Sequence, residues 1–254
     1  MSPRVIPIAA VAAGAVLLGA LPAVAQDEAA VSSSPAGASA EGATQATTLL
    51  DLSGLAPLGP GLALGVHDGK DPVEDDRPRA SVLTLSTSPA GVTWRPVAFE
   101  WSDEVPEPND LESASGVPGT SMVVFAESGD DGTGFQRLFL AEIDVDAEGG
   151  PAGTIAGVAD WPERVFNVEG MAVAQVGDEY VLLYAERAQG DPTTVIQLSP
   201  MTLDPFGLGE PTGVDFTSPA VRSDNDRPVS AMEVASGGVF NVASAFDSGC
   251  DGGP

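Results

Sequence analysis

Carboxylates that recur at a fixed interval are the residues of this chain best suited to chemistry. Asp110 and Glu112 precede an apolar run, Glu127 ends it, and Asp130 and Asp131 follow in the loop Ser128-Gly129-Asp130-Asp131-Gly132. Glu169 and Glu186 hold the corresponding places about 59 residues on, and Asp247 and Asp251 belong to a similar loop about 120 residues after the first. Hard cations such as Ca²⁺ take about six to eight oxygen ligands, which acidic side chains and loop carbonyls supply together. A cation held this way can also activate water, the route open to a hydrolase without a protein nucleophile. These nine residues are the candidate metal ligands and Ca²⁺ the candidate cofactor. The simpler reading is that each Glu ends a strand and stays solvated. No side chain identifies itself as catalytic.

Other patterns are less specific. His67 is the only histidine, and it sits in Gly65-Val66-His67-Asp68-Gly69, the counterpart of the loop at Glu127, where a surface turn is expected. Asp144-Val145-Asp146-Ala147-Glu148-Gly149 imitates the start of a helix-flanked calcium loop. Its twelfth position is Ile155 instead of a bidentate Glu, so it reads as an ordinary turn. Asp224-Asn225-Asp226 is a similar acidic turn. The sequence has no Gly-x-Ser-x-Gly elbow, no His-Glu-x-x-His and no phosphate-cradling Gly-Lys-Ser/Thr. Arg77, Arg79, Arg95 and Arg137 are the only basic residues expected near the acidic loops, where they could meet an anionic substrate or form salt bridges.

A repeat must position these residues. Segments of about 59 residues open at Asp51-Leu52-Ser53, Asp110-Leu111-Glu112, Asn167-Val168-Glu169 and, less clearly, Val229-Ser230-Ala231. Apolar runs follow at Leu62 to Val66, Met122 to Ala126, Tyr180 to Ala185 and Val239 to Ala243. The second segment reads as four strands, Ser113 to Val117, Ser121 to Glu127, Arg137 to Ile143 and Thr154 to Asp160. The third repeats them at Gly170 to Val176, Tyr180 to Glu186, Thr194 to Leu198 and Thr212 to Phe216. The first shows three, Leu62 to Val66, Ala80 to Leu85 and Val92 to Trp101. Most of the 22 prolines and 30 glycines fall between these runs, as turns require. The expectation is an all-β chain, a β-propeller of four-stranded blades that stops after three and a half, with a β-sandwich as the alternative. In a propeller the loop entering the innermost strand and the loop between second and third strands share one face, which here would carry the carboxylates around a central channel. Trp101 and Trp161 hold equivalent places and are expected between neighbouring blades.

The ends and the charge bound the setting. Residues 1–25 read as a signal peptide: Arg4, an apolar stretch from Val5 to Leu21, and the cleavage site Ala23-Val24-Ala25. Residues 26–48 are an Ala/Ser/Gly/Thr-rich spacer without aromatics, expected to be disordered, and residues 49–254 are the propeller. The expected location is outside the cytoplasm, secreted or periplasmic, with no membrane association after cleavage. A formal net charge of −27, with Lys70 the only lysine, excludes nucleic acid as a partner and suits divalent cations, basic partners or a saline exterior. Cys250 is the only cysteine, so no intramolecular disulfide forms. Unfinished blades leave sheet edges open, and self-association through them is expected.

The stretch Glu169-Gly170-Met171-Ala172-Val173, with Gly177-Asp178-Glu179-Tyr180-Val181-Leu182-Leu183-Tyr184-Ala185-Glu186, resembles the exported phytase-like (esterase-like) propellers, whose blades carry a Glu-Gly entering the inner strand and a Glu ending the next. Asp110-Leu111-Glu112-Ser113-Ala114 is similar to a second copy with Ser113 in place of the glycine. The resemblance extends as a pattern over residues 50–254 and is specific over some 20 of them. It implies a propeller and calcium-assisted ester or phosphoester hydrolysis. Two functions therefore compete: an exported propeller that binds a ligand or protein partner on a calcium-ordered acidic face, and a calcium-dependent hydrolase.

Overall fold

A computed structural model describes residues 52–69, 78–88, 90–129, 136–188, 190–219, 226–235 and 238–246. The expected signal peptide and spacer, and Asp130, Asp131, Asp247, Asp251 and Cys250, lie outside the described residues. The described residues belong to one compact unit, Gln45–Pro254. They form strands and turns only, as the sequence pattern requires.

Four sheets follow one another along the chain. The first holds β1 (Leu52–Gly59), β2 (Leu62–His67), β3 (Ala80–Thr87) and β4 (Ala90–Pro96) in sequential antiparallel order. The second is ordered β6-β7-β8-β9-β5, from β5 (Ala98–Phe99), β6 (Leu111–Gly116), β7 (Met122–Glu127), β8 (Arg137–Asp144) and β9 (Ala152–Asp160). The third holds β10 (Val168–Val176), β11 (Glu179–Glu186) and β12 (Thr193–Leu203), with both β13 (Phe206–Leu208) and β14 (Thr212–Thr217) paired to β12. The fourth pairs β15 (Asp226–Ala235) with β16 (Val239–Phe246).

Three departures from the sequence reading have physical causes. β1 is a strand although Leu52-Ser53-Gly54-Leu55-Ala56-Pro57-Leu58-Gly59 is broken by glycine and proline. Register shifts lie between Leu52 and Gly54 and between Pro57 and Gly59, and bulges of this kind tolerate both residues. The stretch expected as one strand from Val92 to Trp101 splits at Val97. β4 stays with β3, while Ala98 and Phe99 pair in parallel with β9 of the second sheet. The third sheet carries the extra strand β13 on the long β12.

The first strands of successive sheets lie side by side, β1 on β6, β6 on β10 and β10 on β15. Apolar clusters fill the spaces between the sheets. Leu64, Val66 and Val82 of the first sheet meet Leu111, Phe125 and Phe139 of the second, with the two phenyl rings stacked at 5.2 Å. Leu138, Leu140 and Trp161 of the second meet Met171, Leu182 and Tyr184 of the third. Ala172, Ala185 and Ile196 meet Val229 and Met232 of the fourth. Trp101 packs into the first of these clusters and Trp161 is buried in the second, where it lies 4.7 Å from Tyr184.

Gly170 shows how tight these junctions are. A Cβ there would come within 2.5 Å of a Val229 methyl and 2.8 Å of Met232 Cγ. Such contacts are incompatible with a side chain, so glycine is needed where β10 meets β15.

Candidate functional site

Each of the first three sheets opens on the same irregularity. The ladder slips between Leu52 and Gly54, between Leu111 and Ser113, and between Val168 and Gly170. The residues skipped are Ser53, Glu112 and Glu169, and all three line one cavity of about 540 Å³. A bulge leaves one residue unpaired and re-aims its side chain. Here it turns a side chain that follows a buried apolar residue (Leu111 or Val168) toward open space.

The residue two before the bulge is also set by the backbone. Asp110 and Asn167 adopt left-handed conformations, at φ 55° and 54°. Asp and Asn tolerate this region best among non-glycine residues. The type of residue at the start of the repeat is therefore a backbone requirement before it is a chemical one.

At the junction of the first and second sheets these features gather three carboxylates. Asp68, just past β2, Asp110 and Glu112 each offer an oxygen, and the three oxygens lie within 4.8 Å of one another. The Asp110 amide donates to the Gly69 carbonyl at 3.1 Å, which ties the two loops together. Ser128 Oγ donates to Asp110 Oδ2 in a short hydrogen bond. The Arg79 guanidinium lies where a Cβ on Gly69 would be, so any side chain there would displace it.

The electrostatics of this cluster are unbalanced. Burial pushes the Glu112 carboxyl from its ordinary 4.5 up to about 8, and the neighbouring charges of Asp68, Asp110 and Glu169 push the same way. A hydrogen bond from Ser53 opposes them. At neutral pH Glu112 therefore holds a proton unless a cation takes its place. Beside it the Ser113 hydroxyl, 3 % exposed, lines the cavity and makes no hydrogen bond. The donor set is carboxylate oxygen throughout, without nitrogen or sulfur, which fits a hard cation and not zinc or copper.

The second junction resolves the same burial differently. Glu169 Oε1 accepts from Arg187 Nη1 and Arg227 Nη1, each at 3.1 Å. Burial still raises its carboxyl above the ordinary range, while Arg227 and Arg187 pull it down.

The other expected ligands stand elsewhere. Glu127 is fully buried, and its carboxylate accepts from Arg137 Nη2 at 2.6 Å, Arg137 Nε at 3.1 Å, the Arg137 amide at 2.9 Å and the Asn109 amide at 3.0 Å. Every strong acceptor position is in use, so Glu127 is a structural ion pair beside the cluster. Glu186 Oε1 accepts from the Phe166 amide at 2.8 Å and lies outside the three-carboxylate cluster. Thus, of the five expected ligands among the described residues, Asp110 and Glu112 meet, and the third member of their cluster is Asp68.

Asp68 was legible only indirectly, through its position in the loop equivalent to Ser128-Gly129. His67, expected in a surface turn, is instead a buried strand end, with Nε2 2.9 Å from Ser81 Oγ. It occupies the ladder position that Glu127 and Glu186 hold in the next two sheets. No protein-family model matches this chain, and no curated protein matches it.

Proposed function

We propose that this chain is an exported acidic β-propeller whose first two blades hold a calcium ion between Asp68, Asp110 and Glu112, and that the ion orders a face on which a ligand or protein partner binds. The single observation behind this reading is the convergence of three carboxylate oxygens within 4.8 Å of one another. Four sheets in series, first strands side by side, support the propeller arrangement. An ion there would be reached from the cavity of about 540 Å³ that Glu112 lines. Loop carbonyls and water would complete a calcium shell, since three carboxylates supply fewer than the required oxygens.

A second reading has its own support. Because Glu112 faces open space large enough for a small ester, the ion could polarise a bound ester or phosphoester and activate water, as the resemblance to phytase-like propellers implies. The Ser113 hydroxyl would then be positioned to hydrogen-bond what enters the cavity.

Calorimetric titration and thermal melting test the cation site. Calcium should bind with release of a proton from Glu112 and raise the melting temperature with concentration, by about 2.7 kcal/mol of stability at a hundredfold excess over Kd. Magnesium should do less, because it demands a tight octahedral shell. An unchanged melting curve in millimolar calcium overturns the site. Turnover of a chromogenic ester and phosphoester panel, dependent on calcium and lost in Glu112→Gln, would favour the hydrolase over the binding protein.

A further inference from the structure

The cavity of about 540 Å³ has two unlike walls. Leu55 and Pro57 of β1, Leu62 of β2 and Leu85 of β3 line it from the first sheet. Ala231 and Glu233 of β15, with Asn241 and Ala243 of β16, line it from the fourth. Strand alternation sends every second residue to the same face. Across the β15–β16 ladder Ala231 pairs with Ala243 and Glu233 with Asn241, so these four form one patch. Between the two walls β6 contributes Glu112 and Ser113, and β10 contributes Glu169 and Met171.

The first wall is aliphatic and open. Leu55 and Leu85 are each more than half exposed, so an apolar group entering the cavity would take part of their surface out of water. The charged residues that line the cavity, among the described residues, are all acids: Glu112, Glu169 and Glu233. Two of them are engaged, Glu169 by Arg187 and Arg227, and Glu112 in the cluster with Asp68 and Asp110. Glu233 is exposed, and no hydrogen bond or ion pair among the described residues occupies its carboxylate.

An independent observation on the same cavity also calls for a ligand. Ser113 lines it, is 3 % exposed, and its Oγ has no hydrogen-bond partner among the described residues. Ser115, two residues on, lines the cavity too, but its Oγ accepts from the Val173 amide at 2.9 Å. A buried hydroxyl without a partner is costly, and a donor brought in by a ligand would recover that cost.

We propose that this cavity binds an organic ammonium compound, its apolar body against Leu55, Pro57, Leu62 and Leu85 and its ammonium group toward Glu233 and the Ser113 hydroxyl. An inorganic cation would gain nothing from the aliphatic wall, and a neutral apolar molecule nothing from Glu233. An anion would be repelled by the lining acids and by a net charge of −27. The volume lies within the range of about 300–1,000 Å³ usual for small-molecule sites, so the occupant is a free amine and not a protein surface. The proposal rests on the reading of this cavity as the ligand site. It needs no calcium, because Glu233 stands outside the three-carboxylate cluster.

Calorimetric titration of the purified chain with phenylbutylamine, phenylbutanol and methylamine tests this, in calcium-free buffer and again in saturating calcium. Phenylbutylamine should bind at one site. Phenylbutanol keeps the body and loses the charge, methylamine keeps the charge and loses the body, and each should bind about tenfold more weakly or worse. Glu233→Gln should bring phenylbutylamine down to the affinity of phenylbutanol and leave phenylbutanol itself unchanged. Glu210→Gln, at an exposed acid outside the cavity, should change neither, which separates the site from the general charge. Both variants alter exposed residues and should melt as the wild type does. Equal affinity for amine and alcohol, an amine affinity that Glu233→Gln does not lower, or no binding at millimolar amine overturns the proposal. If the amine binds as expected while calcium leaves the melting curve unchanged, the metal reading fails and this one stands. If calcium stabilises the chain and the amine does not bind, the reverse holds.

Discussion

Glu112 and Glu169 occupy the same place in successive repeats, on the same bulge, beside the same cavity, and the chain treats their charges in opposite ways. Glu169 is met by two arginines, one from the loop after β11 and one from the fourth sheet. Glu112 is met by two more acids. The backbone cause is shared: a left-handed Asp or Asn, then a buried apolar residue, then a residue turned inward. The difference lies in what the neighbouring loop contributes, Asp68 at one junction and Arg187 with Arg227 at the other. A buried carboxylate needs a positive counterpart, a proton or a cation. The second junction meets this need with Arg187 and Arg227, while at the first the Glu112 carboxyl, pushed up to about 8, holds a proton at neutral pH.

The same substitution at the two positions should therefore act with opposite sign. Glu169→Gln strips two arginines of their partner. Because both guanidiniums are about a quarter exposed, the loss should be about 2–3 kcal/mol, below that of a fully buried pair. Glu112→Gln replaces a carboxyl that burial and the neighbouring acids already hold protonated at neutral pH, so it strips no arginine of a partner as Glu169→Gln does. In a calcium-free buffer it should leave stability unchanged or raise it by about 1 kcal/mol, and it should abolish stabilisation by calcium. Melting both variants with and without chelator checks this. If Glu112→Gln destabilises the calcium-free protein as much as Glu169→Gln does, the two junctions are alike and the comparison fails.

Acidity sharpens the contrast next. Glu112 binds a proton more tightly in the folded chain, with its carboxyl at about 8, than at its ordinary 4.5. Between those values the native state holds more protons than the unfolded one, so stability falls as pH rises. The groups facing it, Asp68, Asp110 and Glu169, are acids, and they add to burial. The calcium-free wild type should thus lose stability from pH 5 to pH 8, with a slope of at most about 1.4 kcal/mol per pH unit from this group. Saturating calcium or Glu112→Gln should flatten that slope. A flat profile in the calcium-free wild type would show that Glu112 is solvated and ordinary.

Much of this was written in the sequence. The interval between repeats, the turn residues and the apolar runs give the sheets, because each run is long enough for one strand and glycine or proline ends it. Asp110 and Glu112 were legible as a pair for the same reason. β1 was not, because bulges accommodate the glycine and proline that speak against a strand. The fate of Glu169 was also hidden: Arg227 reaches it from 58 residues away, and spacing alone does not say which loop faces which. Glu127 looked like a ligand because a terminal Glu on a strand looks the same whether it faces water or a buried arginine. What decides is Arg137, at the start of the next strand. Asp68 was not directly legible because it lies in the loop after β2, outside the recurring Asp and Glu positions of the repeat.

The smallest expected effect comes from Asp68 and divides the cluster further. Asp68→Asn keeps the size of the side chain and an oxygen, and removes one negative charge near Glu112. Among the charges that raise the Glu112 carboxyl, that of Asp68 comes first. The variant should therefore lower the Glu112 titration from about 8 while burial keeps it above 4.5. Calcium binding should weaken by about tenfold, some 1.4 kcal/mol, because a neutral amide oxygen still coordinates a hard cation. Calorimetric titration and a carboxyl-detected pH titration of the same sample read both quantities together. The two should move in linked fashion, the proton and the cation competing for one charge cluster. If calcium affinity falls while the Glu112 titration stays put, Asp68 is a ligand without being a neighbour of Glu112 in charge. If the titration moves and the affinity does not, the cluster holds protons and not calcium.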